Sequence, residues 1–284
     1  GIGAEDSRAY GAVKETCPVA LSQTTELSCL PPRSPMMLPS PTTEQWRQWH
    51  HEGALCLQDA LTGPALERVQ QAFATAATWS RPDWLEAVAD GTLPAAFFDI
   101  PQPLARDESF LDLVDHSGWY GHLLAFTENR VTFIQPQFRT VPPSPLSYVG
   151  WHFDVPQSNP LHLKVQIYLD DVTADEGAFA YVPGSHRPDS GPYPLVRDLE
   201  SMPGHRVYGG KAGTAVLFNS YGLHTSMVNH SSRPRRSIIL IYEVGTAATF
   251  EPDVFAEFAE RCSTSDRRQL FRLEPRPAPE TTTP

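Results

Sequence analysis

The chain has 284 residues, enough for one large domain with a substantial core. Lysine and arginine number 22 against 33 acidic residues, a formal net charge of −11. That balance argues against a nucleic-acid binder, which shows a basic stripe, and against an anionic membrane surface. The longest apolar runs, such as 238–242, fall far short of the roughly 20 residues a spanning helix needs. The four cysteines show neither CxxC nor zinc-ligand spacing, so free thiols in a reducing, cytoplasmic compartment are expected.

Five of the 28 prolines fall between 31 and 41, and no hydrophobic period runs through the first forty residues. Residues 1–42 therefore read as a flexible leader, 43–272 as one domain and 273–284 as a flexible tail. Thr42 or Thr43 can cap a helix that begins at Glu44 and ends at Gly53, with Gln45 completing a capping box. A short buried strand over 54–57 follows. Pro64 suits the first turn of a second helix, whose Leu66, Val69 and Phe73 share a side. A further helix is expected over 118–127. From residue 130 the pattern is one of strands: 131–138, 147–153, 161–169, 178–182, 213–218, 224–229 and 236–243, separated by turns rich in Gly, Pro, Asn and Asp. Many short strands behind a helical layer predict a mainly β protein with flanking helices, a sandwich or jelly roll.

The sharpest chemical feature is Trp151-His152-Phe153-Asp154. On a strand, residues i and i+2 share a face, so His152 and Asp154 would stand side by side. His224 lies seventy residues on, in another apolar stretch. Two histidines and one carboxylate form the facial set that holds Fe(II) with positions open. An arginine opening the strand after His224 could reach the same cavity and pair bidentately with a carboxylate. Gln137, Lys164 and Gln166 lie on strands that could face that cavity too. By itself HxD is a short motif, and an RPRR turn is commonly a basic surface.

Three segments carry a resemblance to a known family: WHFD at 151–154, the stretch from Glu176 through Gly184-Ser185-His186, and H-x-S-x-x-N-x-S-x-x-x-R from His224 to Arg235. With residues 50–69 they resemble the phytanoyl-CoA dioxygenase family of Fe(II)/2-oxoglutarate-dependent oxygenases over about 200 residues. The resemblance implies a double-stranded β-helix (a cupin-like jelly roll) with Fe(II) at one mouth and 2-oxoglutarate and O2 as co-substrates. It implies His152, Asp154 and His224 as the metal ligands, and Arg235 as the partner of the far carboxylate of 2-oxoglutarate, assisted by Ser226. Gln137 and Lys164 are further candidates for the co-substrate site, and Arg233, Arg236 and His186 fall outside it. The implied reaction oxidises an unactivated C–H of a small molecule, most simply to an alcohol, in specialised metabolism. 2-Oxoglutarate leaves as succinate and CO2. Neither nucleic acid nor membrane is expected as a partner, and the oligomeric state is left open. The substrate pocket is expected among residues 96–100, 135–145, 155–160 and 187–197, with Phe97, Phe98 and Tyr193 as its aromatics. A non-catalytic jelly-roll binding module is the alternative, and a hydrolytic zinc site a third reading.

Overall fold

The computed structural model describes residues 38–144, 150–196 and 201–277. Helix α1 (Thr43–Glu52) begins where Thr42 accepts from the Gln45 amide while Gln45 reaches back to the Thr42 amide, the expected capping box. It ends at Gly53, whose φ of +80° directs the chain into β1 (Ala54–Leu57). A Cβ at Gly53 would sit 2.4 Å from Nδ1 of His186 and 2.7 Å from the Tyr181 hydroxyl. Gly53→Ala is therefore expected to lower the melting temperature by roughly 2–8 °C, since a left-handed Ala costs about 1–2 kcal/mol before any clash. A melt no lower than wild type would show that the junction relaxes freely.

Helix α2 (Gly63–Ala89) starts on Pro64 and buries Val69 and Phe73. The short α3 (Glu108–Leu111) and α4 (Tyr120–Phe126) complete the N-terminal helical layer, and α5 (Ser265–Leu270) closes the chain. Among the described residues, no helix is long and apolar enough to cross a membrane.

The strands are β2 (Phe98–Asp99), β3 (Val131–Val141), β4 (His162–Tyr168), β5 (Phe179–Tyr181), β6 (Arg206–Tyr208), β7 (Ala215–Asn219), β8 (His224–Ser226) and β9 (Arg235–Val244). They form a six-stranded sheet in the order β1-β7-β4-β9-β3-β2 and a three-stranded sheet in the order β6-β5-β8, all antiparallel in their pairings. This is the jelly roll, braced by helices on one side.

The period of two divides the larger sheet cleanly. Leu163, Val165 and Ile167 of β4, with Ile238, Leu240 and Tyr242 of β9 and Leu217 of β7, join Val69, Phe73 and Phe110 in one core against the helices. The opposite face carries Lys164, Gln166 and Tyr168, in register with Ile241, Ile239 and Ser237 of β9. Towards β7 that face is apolar: Val216 and Phe218 pack with Phe179 and Tyr181 of the smaller sheet in a second cluster. Towards β3 it is polar, and there the cavity opens.

The leader expected over 1–42 lies, as far as residue 37, outside the described residues. Packing continues past residue 272: Leu273 is buried, and Arg276 donates to the carbonyls of Val131 and Asn129 at the start of β3.

Candidate active site

His152 and Asp154 do not sit on the strand expected over 147–153. Residues 145–149 lie outside the described residues, and the chain turns at Gly150, whose φ is +89°. Only His152 pairs, through one antiparallel bridge to His224 with two N–H···O bonds of 3.0 Å. Asp154 follows at a bend, its amide donating to the Ser220 carbonyl at 3.3 Å. A single bridge places both side chains where the expected strand would have.

His224 opens β8 and is buried, with the rings of Phe218 and Phe179 at 5.0 and 5.7 Å. Its Nε2 is 3.3 Å from Oδ2 of Asp154, and Nε2 of His152 is 3.8 Å from Oδ1. One ligand atom from each residue falls within 4.8 Å of the other two. Each imidazole turns Nδ1 to a carbonyl two residues back, Gly150 for His152 and Gly222 for His224, both at 2.9 Å. A carbonyl only accepts, so Nδ1 carries the hydrogen and Nε2 presents a lone pair. Oδ2 of Asp154 is buried without a hydrogen-bond partner. Two imidazole lone pairs and a buried carboxylate oxygen thus converge, and a divalent cation completes that donor set.

The surroundings keep Asp154 ionised and His152 neutral. Burial pushes the Asp154 carboxyl up, but His224 and Lys164 outweigh it and hold it well below the usual carboxylate range. Burial, then repulsion from His224, lowers His152, leaving it neutral at pH 7. On β4, burial and then Lys164 push His162 down to about 4. The unfolded chain takes up a proton at His162 near pH 6.5 that the fold refuses until about pH 4. The metal-free protein should therefore lose stability as pH falls through that window, and His162→Gln should flatten the slope in urea melts. An unchanged slope would remove His162 as its source.

Arg235 is the first residue of β9 and is 3 % exposed. Its Nη1 donates to the Gly177 carbonyl at 2.5 Å, while Nε has no partner. Burial pushes this guanidinium down to about 10. Among the described residues no carboxylate pairs with it. Ser226 donates to the same Gly177 carbonyl at 3.2 Å, so hydroxyl and guanidinium meet at one point. The neighbouring arginines are occupied elsewhere: Arg233 is on Glu176 at 2.7 Å, and Arg236 holds Asp170 through Nε and Nη2 at 3.0 and 2.5 Å.

Gln137, Lys164, Ser226 and Arg235 line one cavity with His152 and His224. Asp154 reaches it through Lys164, whose Nζ is 2.8 Å from Oδ1. Arg139 lines it too and was not picked out from the sequence, although it lies two residues from Gln137 on the same face of β3. It holds Asp99 bidentately at 2.8 and 2.6 Å, over the ring of Phe97 at 3.8 Å. Beside this cluster a mouth of about 490 Å³ is bordered by Phe153, Asp154, Gln157, Arg187 and Tyr193. Phe98, expected in the substrate pocket, is instead buried in the core against Trp84.

A jelly roll that gathers two histidines and an aspartate at one mouth, with an unpaired buried arginine in the same cavity, has the layout of a facial-triad oxygenase. The family profile described as phytanoyl-CoA dioxygenase matches residues 49–237, and the chain belongs to that family of Fe/2-oxoglutarate-dependent oxygenases. A curated relative is the probable alpha-ketoglutarate-dependent hypophosphite dioxygenase of Stutzerimonas stutzeri, 28% identical over 172 residues. That match covers 54% of this chain and 56% of the relative, so the chain spans about half the length of the curated protein it matches. Among solved structures, the carbocyclase SnoK from nogalamycin biosynthesis superposes with a TM-score of 0.54 at 18% identity, over 72% of this chain and 84% of that one. HygX from Streptomyces hygroscopicus, with nickel, 2-oxoglutarate and hygromycin B bound, gives 0.54 at 16% identity, over 72% and 87%. At such identities the two structures speak for the fold alone.

Proposed function

We propose that this chain is a non-haem Fe(II)/2-oxoglutarate-dependent dioxygenase that oxidises a C–H bond of a small molecule, with hydroxylation as the outcome. His152, Asp154 and His224 would hold the iron, and Arg235 with Ser226 the far carboxylate of 2-oxoglutarate. When bound, iron and 2-oxoglutarate would supply, by reaction with O2, an oxidant able to take a hydrogen atom from an unactivated C–H, with one oxygen atom of O2 leaving in succinate and CO2 released. The chain's own share is orientation and exclusion of water. Gly150 and Gly222 fix the imidazole tautomers, Phe179 and Phe218 shield His224, and the mouth around Phe153 and Tyr193 receives the substrate.

One observation carries this reading: Arg235, buried and unpaired in the cavity the histidines line. An isolated buried cation is costly, and a ligand carboxylate on it relieves the cost. A structural metal in a non-catalytic module needs no such residue. Specialised metabolism is suggested by the hygromycin B bound to HygX and the nogalamycin biosynthesis named with SnoK. A reducing, cytoplasmic setting accords with Cys56 and Cys262, both free.

The test is succinate release from 2-oxoglutarate by the Fe(II)-loaded protein under air, followed by a substrate panel analysed by mass spectrometry. Oxygen- and iron-dependent succinate with a product gained by 16 mass units is expected. Protein that binds Fe(II) yet forms no succinate with any substrate would favour the binding module.

A further inference from the structure

Resting on the oxygenase reading, we propose that the substrate is a small oxyanion, carboxylate or phosphorus oxyanion, whose charge is received by Lys164 with Arg139 beside it. Three cationic side chains line the cavity: Arg235, Lys164 and Arg139. Among the described residues its lining includes no carboxylate of its own. Asp99 neutralises Arg139 bidentately from β2. Asp154 faces Lys164 at 2.8 Å.

Loading the site changes this balance. The charge of a divalent iron is matched by Asp154 and by the near carboxylate of 2-oxoglutarate, and the far carboxylate matches Arg235. The two histidine ligands are neutral. Asp154 is then shared with the metal, and Lys164 is left as one positive charge, with a side chain only 11% exposed. A cation so enclosed is disfavoured without a counter-charge. Its direct contact with a metal ligand places any anion it binds next to the metal. The residual charge is a single one, so the fitting ligand is a monoanion. Arg139, held over Phe97 on the cavity face of β3, adds a planar donor whose own pair with Asp99 is part-buried and can be shared.

The experiment uses protein loaded with Fe(II) and 2-oxoglutarate without oxygen. It is titrated with propionate, methylphosphinate and the neutral isostere propionamide, and read by thermal shift and by the visible absorption of the loaded centre. At least one anion should bind ten-fold or more tightly than propionamide, and the comparison of the two anions tells carbon from phosphorus. Lys164→Met should weaken that anion at least ten times more than it weakens 2-oxoglutarate, and Lys164→Arg should recover part of the loss. Anions that bind no better than propionamide would overturn the inference. So would a Lys164→Met protein that loses 2-oxoglutarate as severely as the anion, since Lys164 would then serve the co-substrate. Failure of the wild type to take up Fe(II) and 2-oxoglutarate at all is a different result, and it counts against the oxygenase reading itself.

Discussion

Arg235→Ala is expected to raise the 2-oxoglutarate concentration for half-saturation by about 30-fold or more, because truncating the partner of a buried carboxylate costs roughly 2–5 kcal/mol. The same substitution should leave the metal-free fold as stable as wild type or more so. In the metal-free protein the guanidinium is buried with only the Gly177 carbonyl on Nη1, and its lowering from 12.5 to about 10 corresponds to roughly 3 kcal/mol against the folded state at neutral pH. A base held below its ordinary value destabilises at every pH where it is charged, and the penalty fades only as pH rises past about 10. Loss of ligand affinity without loss of stability separates a binding residue from a packing residue. Arg236→Ala should shift 2-oxoglutarate binding less than three-fold, since that side chain is committed to Asp170. A severe Arg236→Ala with a mild Arg235→Ala would reverse the two faces of β9. Isothermal titration and urea melts decide it.

The two histidines should part company in stability while agreeing in metal affinity. His152→Ala and His224→Ala are each expected to weaken Fe(II) or Co(II) binding by at least two orders of magnitude and to abolish turnover. His224 is walled by Phe218 and Phe179 at the seam of the two sheets, so its truncation should also cost about 2 kcal/mol of folding stability, as a buried large-to-small change does. His152 has a side chain 41% exposed on a bent segment, and its loss should cost well under 1 kcal/mol. Metal titrations beside thermal melts of the metal-free variants test both statements. A His152→Ala protein with wild-type metal affinity would remove that residue from the site.

Much of this was legible in the sequence because it rests on local rules. Thr42 and Gln45 announce α1, Gly53 ends it, and the alternation in residues 162–168 tells which side chains of β4 meet the helices and which meet the cavity. The turn after His224 leads into a strand that opens with arginines, so an arginine near the cavity was legible; choosing Arg235, with Ser226, rested on the family resemblance. What escaped depends on contacts distant in the chain. The strands β2 and β6, of two and three residues, are held by β3 and β5 and have no period to display. His152 looked like part of a strand because its neighbours are aromatic and apolar, yet its extended backbone is secured by one bridge to His224, far along the chain. Phe98 reads like Phe97, and only the packing of Trp84 separates the core residue from the one beneath Arg139. Arg139 could have been flagged by adding two to Gln137, but nothing local marks an arginine as inward-facing.

The two faces of the larger sheet divide stability from chemistry, and this bears on how such a chain can change over generations. The aliphatic residues that hold the fold together point at the helices, away from the cavity. Substitutions at Gln137, Arg139, Lys164 or Gln166 therefore remove few of the apolar contacts on which folding depends, and replacing Gln166 also removes a buried amide nitrogen that has no hydrogen-bond partner. A lineage can exchange those residues and try new substrates while the helix-facing core keeps it above the threshold for folding. Drift towards a different molecule is cheap here, whereas drift at Leu163, Val165 or Leu240 is not.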